Sequence, residues 1–305
     1  MRNPFAGVGL WLKCALHSHT TNSDGELPPA LLVHHYEEAG FDVLAITDHW
    51  VLTVEPSTDG LLVLPGTELD AALDGPGREA HVLALGVGAA PDPPGAAFPP
   101  LAATVDWVEQ AGGLAYLAHP YWSGLRVDEF EGCDGLAGLE VYNAGCELEV
   151  GRGLAGVHWD AVLERGRPWL GIAVDDSHHP GFDSGLAWTW VRAGERSAGA
   201  VLAALREGAF YSSTGPAIEE VAFDGGTIEL RTTPARSITL MTGRARGASV
   251  NTGRSDYAYR GEILERNGDG GIVAARLTAP RAAPYGRIEV TDEAGERAWT
   301  NPLWA

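Results

Sequence analysis

The sequence predicts an α/β fold of strands alternating with helices, a barrel or an open sheet, followed by a small antiparallel β domain. Three observations predict it. Short apolar runs alternate with helix-patterned stretches through the first two thirds of the chain. Histidines and carboxylates gather just past the ends of several of those runs, where β/α barrels keep their chemistry. After Pro216 the helical pattern stops, and short alternating runs separated by turn residues take over.

The elements follow in order. Residues 11–16 read as a strand. Pro28-Pro29-Ala30 opens a helix that runs to Glu38 and stops at Gly40, with proline early and glycine late as helix ends prefer. Strands are expected at 42–47, 61–64 and 81–85, the last two separated by the turn Gly75-Pro76-Gly77. Residues 89–100 form a proline-rich loop. A helix at 101–111 ends at Gly112-Gly113, and a strand at 114–118 follows. Further strands fall at 136–142, 169–174 and 186–191, with helices at 154–165 and 198–207. Beyond 216, alternation marks strands at 218–223, 227–231, 238–242, 272–277 and 287–291. The division expected is 1–215 and 216–305, and the second part contains no histidine.

Five short motifs carry the chemistry. They are His17-Ser18-His19 with Asp24-Gly25, Thr47-Asp48-His49, Gly66-Thr67-Glu68, Ala118-His119-Pro120, and Asp175-Asp176-Ser177-His178-His179. Alternation along a strand puts His17 and His19 on one face, and Asp176 and His178 likewise. Imidazole and carboxylate gathered at one end of a fold are the donors that a cluster of divalent metals needs. The reading is a metal-dependent hydrolase. Mixed nitrogen and oxygen donors suit Mn, Zn and Fe alike.

With His81 added, this ordered set closely resembles the PHP (polymerase and histidinol phosphatase) metallohydrolase superfamily over residues 11–215. Phe210-Tyr211-Ser212-Ser213-Thr214-Gly215-Pro216 and the stretch from Ile288 to Pro302 look like its CehA/McbA-type subgroup, whose namesakes hydrolyse carbamate insecticides. The resemblance implies a distorted (β/α)7 TIM-like barrel with two or three divalent ions. His17, His19, Glu68 and Asp176 would hold one ion. Glu68 would bridge to a second, held by His81 and His119. Asp24, His49 and His178 would hold a third. The implied activity is that of a phosphoesterase on small phosphate mono- or diesters using a metal-bridging hydroxide, since bound metal lowers the pKa of water to about 7. A carbamate, ester or amide hydrolase on the same metals is the alternative. His49 or His178 would protonate the leaving group if the third site is empty, and Asp48 would support the metal shell from behind, by hydrogen bonding or by orienting His49.

Around this set, Arg126 is the expected phosphate contact, in a loop where the family often carries a basic residue. Asn143, ending a strand at the rim, is expected either to touch the substrate or to support a metal ligand from behind, and His179, bordering the site, is a further substrate-contact candidate. His34, His35 and His158 read as solvated helix positions. The net charge of -20, from 41 acids against 21 bases, opposes binding of a nucleic-acid duplex or an anionic membrane. A small, anionic substrate remains compatible, because bound metals set the local field. Three cysteines without a CxxC spacing read as free thiols in a reducing cytoplasm. The oligomeric state is not legible.

Overall fold

The structure, a computed structural model, describes residues 3–95, 97–253 and 255–304. The chain forms β1 (Leu10–Ala15), α1 (Pro29–Glu38), β2 (Val43–Ile46), β3 (Leu62–Ala72), β4 (Glu79–Leu85), α2 (Leu101–Gln110), β5 (Leu114–Leu117), α3 (Val127–Phe130), β6 (Leu136–Asn143), α4 (Ala144–Val150), α5 (Gly156–Glu164), β7 (Leu170–Val174), α6 (Pro180–Asp183), β8 (Trp188–Ala193), α7 (Ala198–Glu207) and β9 (Phe210–Ser213). Nine strands follow: β10 (Ile218–Asp224), β11 (Thr227–Ala235), β12 (Ser237–Met241), β13 (Gly247–Asn251), β14 (Tyr257–Tyr259), β15 (Gly261–Arg266), β16 (Ile272–Thr278), β17 (Arg287–Thr291) and β18 (Arg297–Thr300). The 89–100 stretch, with Ala96 outside the described residues, is irregular up to a bridge at Pro100.

The fold is α/β, with a large mixed sheet and a separate antiparallel one. The large sheet has 14 strands in the order β14-β13-β12-β17-β18-β9-β8-β1-β2-β3-β4-β5-β6-β7. The smaller has four, β10-β11-β16-β15. β1, β2 and β3 are parallel, as are β5, β6 and β7. Every residue of β2, β5 and β7 is buried, which is why these segments read as unbroken apolar runs. In β12 and β13 only alternate residues are buried, as in a sheet with one covered face.

Two features depart from the expected run of parallel strands. β4 is antiparallel to both β3 and β5, so β3 and β4 make a long hairpin with Asp70 opposite His81. The hairpin lengthens β3 well beyond the apolar core of its sequence, and that places Glu68 within a strand rather than after one. β8 and β9 are also antiparallel to their neighbours, and β9 pairs with β18, so the C-terminal strands continue the same sheet.

The edge of β7 returns toward β1. Asp176 N donates to His17 O at 3.1 Å, and His19 N donates to Ser177 O at 2.9 Å. Alongside, Ala173 N donates to Thr189 Oγ1, and Ser212 Oγ donates to Gly171 O. The chain segments leaving β1, β2, β5 and β7 therefore emerge around a common centre. Among the described residues, no helix is long and apolar enough to cross a membrane. Cys14, Cys133 and Cys146 are free and buried.

Candidate metal centre

His17 and His19 leave the end of β1 two residues apart and turn their rings to the same point. His17 Nε2 lies 3.0 Å from Glu68 Oε2 and 3.1 Å from Asp176 Oδ1. His19 Nε2 lies 3.2 Å from the same Glu68 oxygen and 3.3 Å from the same Asp176 oxygen. All four side chains are buried. Asp176 Oδ1 has no hydrogen-bond partner among the described residues, although two imidazole nitrogens stand beside it. A buried carboxylate oxygen without a donor is costly unless a cation satisfies it. Two imidazole nitrogens only 3.0 Å apart, facing two carboxylate oxygens, present converging lone pairs. This donor set fits a divalent ion.

Glu68 divides its two oxygens. While Oε2 faces His17 and His19, Oε1 lies 2.9 Å from His81 Nδ1 and 3.2 Å from His119 Nε2. A third set surrounds Asp24: its Oδ2 is 3.5 Å from His178 Nε2 and 3.7 Å from His49 Nε2, and its Oδ1 is 3.5 Å from His19 Nδ1. Within each of the sets His17-His19-Glu68-Asp176, Glu68-His81-His119 and His19-Asp24-His49-His178, the candidate donor atoms lie within 4.8 Å of one another. Glu68 and His19 each belong to two sets.

Buried acceptors behind the rings fix their orientation. His17 Nδ1 is 2.7 Å from Glu140 Oε1, which leaves Nε2 for the centre. The other Glu140 oxygen accepts from His119 N at 2.7 Å and from Asn143 Nδ2 at 2.8 Å. Asp70 plays the same part for His81, whose Nε2 lies 3.1 Å from Asp70 Oδ1. Backbone conformation adds to the set. His119, Asp176 and Trp50 have positive φ of 25°, 55° and 57°, a region that non-glycine residues occupy at a cost and that clusters at functional sites. Gly25 follows Asp24 because a Cβ there would stand 2.3 Å from His19 O.

The electrostatics are mutual. Burial alone would raise the Glu68 carboxyl, but His17, His81 and His119 hold it well below the ordinary value. Asp176 is depressed against its burial in the same way, by His17 and His19. Burial pulls His81 and His19 down, yet the neighbouring carboxylates push them up to about 10 and about 9. The bond from His178 holds Asp24 well below the usual carboxylate range.

Of the ligand candidates, Asp24, His49, Glu68, His81, His119, Asp176 and His178 line a pocket of about 460 Å³ together with Trp122, Cys146, Leu148, Glu149, His179 and Phe182. The overall fold has a counterpart among solved structures. The chain shares its fold with a two-domain protein containing a predicted PHP-like metal-dependent phosphoesterase from Bacteroides vulgatus ATCC 8482. The superposition covers 97% of this chain and 96% of that one, with a TM-score of 0.51 and 18% sequence identity. No family model matches the chain. By sequence it is 39% identical over 80 residues to the 5'-3' exoribonuclease Rnm of Salmonella typhimurium and to that of Escherichia coli. Each match covers 24% of this chain, which spans 27% of the length of those relatives.

The structure brings all nine residues expected to bind metal into this one centre. Arg126 departs from its expected place, while Asn143 and Asp48 each fall on one of the alternatives open to them. Arg126 is 66% exposed, outside the pocket lining, with its guanidinium beside Asp128 and Glu129 at the start of α3. Asn143 is fully buried, and its side chain is consumed by Glu140, Asp176 and the Cys146 N–H, so it braces the centre from behind instead of meeting a substrate. Asp48 supports the centre by hydrogen bonding rather than through His49, and lies outside the pocket lining. Its carboxylate accepts from Thr20 N, Thr20 Oγ1, Ser23 Oγ and Thr53 Oγ1, stapling the loop that presents Asp24.

His179 does sit at the pocket rim, 3.4 Å from Glu26. His34 is solvated, but His35 and His158 are half-buried and bonded to Ser184 Oγ and Leu125 O. Sequence reasoning missed Glu140 and Asp70 as supports. The signal was a carboxylate alternating with apolar residues in a strand, which by itself reads as a solvent-facing position.

Proposed function

We propose that this chain is a PHP-superfamily metal-dependent hydrolase, most specifically a phosphoesterase acting on small phosphate mono- or diesters. The return of β7 to β1 supports reading residues 1–215 as a distorted (β/α)7 barrel, with 216–305 as a β-rich second part. The observation that carries the activity is the divided carboxylate of Glu68, one oxygen for each of two histidine pairs. A carboxylate so placed would serve two cations at once, and a pair of metal ions is the kind of site that supports in-line displacement at phosphorus.

His17, His19, Glu68 and Asp176 would hold one ion, Glu68, His81 and His119 a second, and Asp24, His49 and His178, with His19 adjoining, a third. Divalent ions of the Mn, Zn or Fe kind supply Lewis acidity and lower the pKa of water when bound there. The protein's own groups do the rest. Glu140 and Asp70 keep His17 and His81 in the tautomers that face inward. His49 and His178, half-buried at the mouth, would pass a proton from Nε2 to a leaving group only where the third set holds no ion. No general base from the protein is needed in this scheme.

A second reading, hydrolysis of a carbamate, ester or amide, is favoured by one observation. Among the described residues lining the pocket there is no lysine or arginine. The CehA/McbA-type resemblance of residues 210–216 and 288–302 points the same way. Elemental analysis of protein purified without chelator, combined with turnover of p-nitrophenyl phosphate, bis-p-nitrophenyl phosphate and 1-naphthyl methylcarbamate, tests both. Two or three ions per chain with chelator-sensitive phosphate release are expected. A metal-free protein that stays inert after reconstitution would sink the hydrolase reading, and turnover of the carbamate alone would select the second.

A further inference from the structure

The mouth of the pocket has an unusual composition for a site that handles anions. Trp122, Leu148 and Phe182 line it beside the ligand candidates, and they are 38%, 45% and 68% exposed. Large apolar side chains left open to water inside a concave site are more informative than the same residues scattered on a convex surface. They come from three separate places in the fold: the loop after β5, α4 and α6. Trp122 is fixed in place. Its Nε1–H donates to Glu149 Oε2 at 2.8 Å, and its ring meets His119 edge-on, with centroids 5.1 Å apart and planes at 72°. The polar edge of the indole is thus occupied by the protein.

The charges at the mouth are negative. Apart from the ligand candidates, the charged lining groups are Glu149 and the buried Asp183, whose oxygens are taken by Ser177, His178 and His179. Arg78 sits in a neighbouring hollow shared with His49, His81 and Trp122. Its guanidinium is already committed to the Glu129 carboxylate and to Gly124 O.

We infer that the substrate carries a single reacting ester at the metal centre and an aromatic group seated against Trp122, Leu148 and Phe182, and that the site selects against a second anionic group. The inference rests on the hydrolase reading above and names the substrate class for it. The volume of about 460 Å³ has ample room for an aromatic ring with its ester. Offset or edge-on contact with Trp122 and Phe182 supplies affinity that does not depend on the chemistry at the metals. A long polyanion such as a nucleic-acid strand finds no cationic track at this mouth.

The test uses the full chain reconstituted with Mn²⁺ and ligands that cannot turn over, so that leaving-group reactivity plays no part. Dissociation constants for methylphosphonate, phenylphosphonate and 4-carboxyphenylphosphonate are measured by calorimetry, with acetate and benzoate as a carboxylate pair. Phenylphosphonate should bind about tenfold tighter than methylphosphonate, and the added carboxylate should cancel most of that gain. In Phe182→Ala and Leu148→Ala, both on exposed side chains whose loss leaves the core intact, the phenyl-over-methyl advantage should shrink to about threefold or less. Equal binding of the phenyl and methyl compounds, or tightest binding of the doubly anionic one, overturns the inference. If phosphonates are refused while benzoate still exceeds acetate in a Phe182-dependent way, the aromatic seat stands and the phosphoesterase reading fails.

Discussion

Glu140 Oε1 stands 2.7 Å from His17 Nδ1, both fully buried, and this contact decides which nitrogen of His17 faces the centre. The same carboxylate caps the His119 N–H and the Asn143 amide, so one residue braces two histidines from different strands. Glu140→Gln keeps the shape but replaces the acceptor with a group that can also donate. Metal affinity should fall about 10- to 100-fold with the circular dichroism spectrum preserved. Calorimetric titration with Mn²⁺ checks this, and unchanged affinity would show that His17 needs no such orientation.

Because Glu68 serves two donor sets, its removal should cost more metal than removal of a residue that serves one. His81→Ala is expected to lower the bound metal by one equivalent per chain. Glu68→Ala should lower it by two or empty the centre. Elemental analysis after gel filtration reads the difference; equal losses from the two variants would mean that Glu68 does not bridge.

Removing the metals should give the protein a pH dependence that the loaded form lacks. His19 and His81 are pushed up to about 9 and about 10 by their carboxylate neighbours, from an unfolded value of about 6.5. Between those limits the folded chain binds more protons than the unfolded one, so stability is fully present below about 6.5 and is lost as pH rises through 9 to 10. Chelated protein should therefore show a Tm that declines from pH 7 to pH 10, and Mn²⁺ addition at pH 7 should release protons. A flat Tm in the chelated protein would contradict the raised histidines.

Asp48→Ala should act on the loop and not on His49. Losing an acceptor that satisfies four donors should destabilise the fold by about 1–3 kcal/mol and free the Thr20–Asp24 segment. The set around Asp24 should weaken while the two sets sharing Glu68 keep their ions. Loss of all metal together would place Asp48 closer to the chemistry than its contacts do.

Arg126→Ala is expected to leave KM for a small phosphate ester unchanged within about twofold, since an exposed surface ion pair contributes little. A large rise in KM would require the loop after β5 to bring Arg126 to the pocket during turnover.

Much of the centre was legible because its residues follow apolar runs. His17, His49, His119 and Asp176 stand just past β1, β2, β5 and β7, and such runs are visible in sequence. Glu140 and Asp70 were not legible, since a carboxylate inside a strand looks the same whether it faces water or a buried imidazole. Arg126 misled because spacing from His119-Pro120 says nothing about where a loop turns. The strands β13, β14, β15 and β18 were missed for a different reason: β14 has only three residues, β13 and β15 carry glycine or charged residues, and β18 owes its strand form in part to β9, far earlier in the chain. Local periodicity cannot report a pairing made across the chain.

That long-range pairing has a consequence for the order of synthesis. Asn301 Oδ1 accepts from Gly171 N on β7, and its amide reaches Phe210 O on β9, while Thr300, Trp299 and Ala298 pair with residues 211–213. On a ribosome, the strands around the metal centre are made well before residues 298–301 leave the exit tunnel. For that interval β9 has an open edge and Gly171 lacks its final partner. Closure of the fold around the centre therefore waits on residues 298–301, which lie far along the chain from every metal-ligand candidate.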